Sequence, residues 1–302
     1  MPGTDRREED RFIPPLAIPW PGEGPPAPPA RRPSRYVTRE RLERGLVISL
    51  NGIGGYNWLP RLLRRGLDRG GVGHAIAIFD WSIGPIGMYL ADVLAVRRNR
   101  ASAAVLAEAV LRYRRWMPGR PVTLIGHSGG AAVAAWALEA LAQAGRREGC
   151  EEGGSPLLPE GTAGGTAEKV AATLFAVERA LLLAPALSPR YNLAPALRAV
   201  GRRLWAAHSP CDLFFMGLGT SLFGGLDRRW GPAAGLLGFR LPRDVSDEDR
   251  AAYAKVRQIA WRPGLIRDGH LGDHTGWSME RFARRVLAPM VLGRSDPGEP
   301  IE

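Results

Sequence analysis

Between Gly126 and Gly130 the chain reads GHSGG, a serine flanked at two residues' distance by glycine on either side. A serine hydroxyl is a weak nucleophile, and it reacts where a base takes its proton and an acid holds that base in place. The pattern G-x-S-x-G supplies the geometry, because a strand turning sharply into a helix holds the central hydroxyl exposed above a sheet. The flanks fit this reading. Val122 to Ile125 is a short apolar, β-rich run, and Ala131 to Leu141 is an Ala/Leu-rich run of strong helix propensity. A Cβ at Gly126 or Gly130 would clash with the neighbouring strand or helix, and the N–H of Gly129 must face the substrate. An ordinary serine in a Gly-rich turn matches the bare pattern equally well; the strand before and the helix after distinguish the two.

The acid and the base lie further along. A serine at such a turn is followed first by Asp or Glu and then by His. Asp212, in SPCD just past the strand expected at Arg203 to His208, can reach the site from a strand end; Asp227 and Asp244 are alternatives. Of five histidines, His74 and His208 come too early, and His127 inside the elbow is expected to point away from the reactive face of Ser128. His270 and His274 remain, in a loop between the strand expected at Val256 to Trp261 and a terminal amphipathic helix at about Ser278 to Met290. His274 is nearest that helix and has Gly272 and Gly276 around it, so it is the preferred base. His270 is either the base or a residue supporting it. NGIGG, Asn51 to Gly55, follows the buried-strand run Leu46 to Leu50. Such a loop leaves backbone N–H groups facing one spot, as an oxyanion hole requires, and the N–H of Ile53 is the candidate donor.

These residues need a frame. Apolar runs at Leu46 to Leu50, His74 to Ser82, Val122 to Ile125, Glu178 to Ala184, Arg203 to His208 and Val256 to Trp261 alternate with helical patterns at Trp58 to Leu67, Ala101 to Arg115 and Pro195 to Val200. With 302 residues and 45% hydrophobic content, one large α/β domain can bury a core. Residues 1–44 hold PPLAIPWPGEGPPAPPARRP and read as a Pro-rich extended tail, with Trp20 docked on the body and folding beginning at Gly45. The domain spans 45–292, with a flexible Gly/Glu/Pro-rich excursion at 146–168, an apolar Gly-rich excursion at 213–244 near the site, and a C-terminal tail at 293–302.

The net charge of +11 is carried almost wholly by Arg, with Lys only at Lys169 and Lys255. It reads first as a solvated surface, with weak contact to an anionic membrane as a further partner; no basic motif with interleaved aromatics calls for nucleic acid. Cys150 and Cys211 make neither a disulfide framework nor a metal site. MPGTDRREEDR has no apolar h-region behind it, and a cytoplasmic enzyme is expected.

NGIGG, GHSGG, SPCD and GHLGDHTGW together resemble the α/β-hydrolase superfamily, over roughly Gly45 to Leu292. The resemblance implies a mainly parallel central sheet with helices on both faces, here without a large cap domain. It implies hydrolysis of esters, lipids or thioesters without a cofactor or metal. Residue matching makes Ser128 the nucleophile, His274 the base and Asp212 the acid, with the N–H groups of Ile53 and Gly129 in the oxyanion hole. Asn51-Gly52 stands where many relatives carry His-Gly. The expected activity is that of a serine esterase or lipase-like enzyme; a non-catalytic binding protein of the same fold, or acyl transfer or peptide hydrolysis on the same residues, is the alternative.

Overall fold

The computed structural model describes residues 18, 20, 34–55, 58–82, 89–151 and 177–301. Six parallel strands form one sheet: β1 Leu46–Leu50, β2 Ala75–Phe79, β3 Val122–His127, β4 Val177–Leu183, β5 Val200–His208 and β6 Val256–Ala260. Their order across the sheet is β2-β1-β3-β4-β5-β6. Because successive side chains of a strand point to opposite faces, each strand feeds two cores. Leu46, Ile48 and Leu50 of β1 go to one, and Val47 to the other.

On the first face lie α1 Arg39–Leu42, the long α4 Val96–Trp116 and α5 Gly129–Glu151. On the second face α2 Trp58–Arg69 packs beside a terminal helix built of Glu280–Phe282, Ala283–Leu287 and Ala288–Val291. Between α2 and α4 stands the short α3, Tyr89–Leu94. A parallel sheet covered on both faces is the layered α/β architecture expected from the alternating strand and helix runs. All six predicted strands are present, with shifts of up to three residues at their ends.

Crossing from β1 to β3 reverses the direction in which the chain winds, so the carboxyl ends of these two neighbours bound a crevice where open α/β sheets bind ligands. Leu50 pairs in register with Gly126, which sets NGIGG beside GHSGG.

Ordered structure begins earlier than Gly45. Tyr36, Val37 and Leu42 are buried, Thr38 caps α1, and the N–H of Ile76 in β2 donates to the Tyr36 carbonyl at 2.8 Å. Trp20 is buried with its ring 6.1 Å from that of Trp116 and Arg112 over its face. At the other end Gln258 of β6 exchanges backbone hydrogen bonds with Glu299, at 2.7 and 2.9 Å, so part of 293–302 pairs with the sheet. Helix α5 runs to Glu151, past the point where an excursion was expected at 146; residues 152–168 of that excursion lie outside the described residues. No helix among the described residues is long and apolar enough to cross a membrane.

Candidate active site

Ser128 closes β3 and precedes α5 with φ of 56°, a left-handed backbone angle that costs a non-glycine residue about 1 kcal/mol. Three hydrogen bonds hold it there. Its N–H donates to Leu183 O at the end of β4 (2.8 Å), and its carbonyl accepts from Ala131 N–H (3.1 Å) and Ala186 N–H (3.2 Å). The glycines permit the close packing: a Cβ on Gly126 would meet Gly130 O at 2.4 Å, and one on Gly130 would meet Asn51 O at 2.3 Å. This is the strained strand-to-helix turn that GHSGG predicts.

Asp212 and His274 come from loops after β5 and β6, and the structure brings them together. His274 Nδ1–H donates to Asp212 Oδ2 at 2.5 Å with both groups buried. That bond assigns the proton to Nδ1 and leaves Nε2 as the basic nitrogen. The loops are tied to each other as well. Ser209 Oγ–H donates to Gly272 O (2.6 Å), while Asp212 N–H donates to Ser209 O (3.1 Å). Ser128 Oγ and His274 Nε2 do not share a hydrogen bond here; such bonds are often long before substrate binds.

His127 is placed differently from the expectation that it turns away from the site. Its Nε2–H donates to the His274 carbonyl at 2.9 Å, and the two rings lie 4.7 Å apart. Phe215 stacks on the His274 ring at 4.7 Å and 28°. The His274 imidazole thus has a ring against it from two elements. Burial pushes His127 down to about 3, the nearby His274 adding in the same direction, so it stays neutral and serves as a brace. Neither contact follows from any spacing in the sequence. The one available signal was that His127 adjoins Ser128 on a rigid turn.

His270, the alternative base, does not reach Asp212. It is fully buried with its ring edge-on to Trp277 and Phe282, and its Nδ1 accepts the N–H of Gly272 at 3.0 Å. Burial lowers it to about 4. It shapes the loop that carries His274. Asp227 Oδ2 accepts the N–H of Ser188 (3.1 Å), and Asp244 is exposed; neither pairs with a histidine.

Ile53 and Gly129 are in contact, since a Cβ on Gly129 would meet Ile53 Cγ1 at 2.6 Å. Gly129 opens α5, where the first N–H groups have no intrahelical acceptor and the helix dipole presents its positive end. No described residue accepts from the N–H of Ile53 or Gly129. The NGIGG loop is anchored from below: Asn51 Nδ2 donates to Asp80 (2.8 Å), Trp81 Nε1–H to Asn51 O (2.7 Å), and Gly54 N–H to the buried carboxylate of Asp92 (2.9 Å). Asp92 gave no sign of this role in the sequence. Among the described residues no cluster of three or more His, Cys, Asp or Glu could hold a metal ion.

No protein-family model and no curated protein matches the sequence. Several solved structures show a distant likeness to the chain. A lipase-esterase related protein from Clostridium acetobutylicum is 9% identical over 84% of this chain and 96% of its own, with a TM-score of 0.38. A cutinase-like protein from Cryptococcus sp. is 12% identical over 84% and 97%, with a TM-score of 0.37. A thermophilic esterase from Thermogutta terrifontis is 11% identical over 86% of each chain, also with a TM-score of 0.37. Likenesses this distant carry no functional argument, and the chemistry rests on the geometry of the site.

Proposed function

We propose that the chain is a serine hydrolase of carboxylic esters. The observation that carries this reading is the buried Asp212–His274 hydrogen bond, set beside a serine held at a left-handed turn. In this mechanism His274 Nε2 takes the proton of Ser128 Oγ as that oxygen attacks the ester carbonyl carbon. The tetrahedral oxyanion receives the N–H groups of Ile53 and Gly129. As the carbonyl re-forms, the alcohol leaves with the proton from Nε2, and the acyl group stays on Ser128. Water, deprotonated by the same nitrogen, then attacks the acyl carbon; the bond to Ser128 Oγ breaks, Oγ recovers the proton from Nε2, and the carboxylic acid leaves. Asp212 holds the Nδ1–H tautomer and stabilises the imidazolium in both halves. An oxyanion donor of this kind is worth about 3 kcal/mol in the transition state. No cofactor enters these steps.

Ser128→Ala should remove hydrolysis of p-nitrophenyl acyl esters and labelling by a fluorophosphonate probe, with the circular dichroism of the folded protein unchanged. Undiminished turnover in this variant, or a wild-type chain that the probe does not label, would leave a binding protein of the same fold as the better reading. Formation of amide or transferred ester in place of free acid would move the chemistry to acyl transfer.

A further inference from the structure

The segment after Asp212 folds with its greasy side outward. It is a π-helical turn, Leu213–Gly219, continued by the α-helical turn Thr220–Phe223. Met216 and Thr220, four residues apart, are buried against the body. Phe214, Leu218 and Leu222, on the same four-residue spacing, are 70%, 54% and 60% exposed. An ordinary surface helix of a water-soluble protein places its polar residues there. The segment is tethered, with Ala233 N–H donating to Met216 O (2.8 Å), and Trp230, 62% exposed, lies against Gly224 at the segment's end, where a Cβ would meet its ring at 3.6 Å.

The charge of this stretch is mostly positive. From Leu213 to Arg243 the sequence has four arginines, at 228, 229, 240 and 243, and one acid, Asp227, whose Oδ2 is occupied by the Ser188 N–H. Arg228 and Arg229 follow Asp227 in the turn closed by the Gly225 N–H bond to Arg229 O; all three line a cavity of about 360 Å³ with Arg190, Trp136 and Arg100, the last paired with Glu139 at 3.2 Å. Neither Arg190 nor Arg229 is ion-paired with a described residue, and the Arg228 guanidinium lies over the Trp230 ring, 5.7 Å from its centre. An apolar stripe bordered by exposed arginines complements a surface with an apolar interior and a negatively charged rim.

We infer that the Leu213–Trp230 face docks on an anionic phospholipid surface, with Phe214, Leu218, Leu222 and Trp230 entering the acyl boundary and the arginine-lined cavity receiving headgroup phosphates. The inference rests on the ester-hydrolase reading only for its consequence. Because Phe215 of the docked segment stacks on His274, esters held in that surface are presented to the site.

Co-sedimentation of the full chain with vesicles tests it. The chain should partition onto phosphatidylcholine–phosphatidylglycerol vesicles more than onto phosphatidylcholine alone, and high salt should remove the difference. Phe214→Ser with Leu218→Ser should weaken partitioning at least about tenfold. Arg228→Ala with Arg229→Ala should abolish the preference for phosphatidylglycerol. Hydrolysis of a soluble short-chain ester serves as the folding control and should stay at the wild-type level in both variants. Ser128→Ala should bind vesicles like the wild type, so failure of the catalytic reading and failure of docking are separable. Equal partitioning of the Phe214/Leu218 variant, no preference for the anionic vesicle, or a wild-type dimer that this variant turns monomeric would each overturn the proposal.

Discussion

Ser128 sits at φ 56°, held by its neighbours, so the proposed nucleophile is presented at the expense of backbone comfort. Glycine adopts this angle freely, so Ser128→Gly should unfold at higher urea than Ser128→Ala, by about 1 kcal/mol, while both are inactive. Equal midpoints for the two would show that the turn carries no strain. At Asp212 the effect is chemical. Asp212→Asn keeps the size of the side chain but no longer holds His274 in its Nδ1–H form, and kcat should drop by roughly 10⁴-fold with KM little changed. Less than a tenfold loss would mean that another group orients His274. The candidates Ser128, Asp212 and His274 could be picked out because they follow β3, β5 and β6 in the order serine, acid, histidine. His127 and Phe215 could not, since their value lies in which ring they touch, and contact across the fold leaves no mark on spacing.

For the elements, the loop proposed to hold the oxyanion is the instructive case. NGIGG reads as a flexible Gly-rich turn, yet in the folded chain it is moored to β2 through Asp80 and Trp81 and to α3 through Asp92. Asp92→Leu removes the acceptor for Gly54 N–H and should lower kcat by ten- to a hundredfold through a displaced Ile53 donor, whereas Asp92→Asn, which retains an acceptor oxygen, should recover most of it. A leucine variant with normal kcat would take the loop out of the mechanism. The six strands could be read from apolar runs because a parallel sheet buried on both faces needs them. The π-helical turn at Leu213–Gly219 could not, because its exposed side is as apolar as its buried one and no amphipathic period betrays it.

Across the whole molecule, the buried histidines tie stability to pH. His127 and His270 have folded values of about 3 and about 4 against 6.5 in an exposed chain, so between those limits it is the unfolded state that binds the protons. Their contribution is complete above about pH 6.5. It is lost as pH falls, with a slope of up to about 1.4 kcal/mol per pH unit for each imidazole. Burial lowers His74 and His208 also, with the same sign. Urea midpoints should therefore drop steadily from pH 7 to pH 5, and a flat profile there would contradict the burial of these rings. Domain limits were less legible than strands. A Pro-rich start and a short polar end read as loose tails, but Tyr36 bonds to β2 and Glu299 to β6, the two outermost strands. Each outermost strand is thus covered at one position, β2 by Tyr36 and β6 by Glu299, and at those positions the row of free amides and carbonyls that strand-to-strand accretion needs is interrupted.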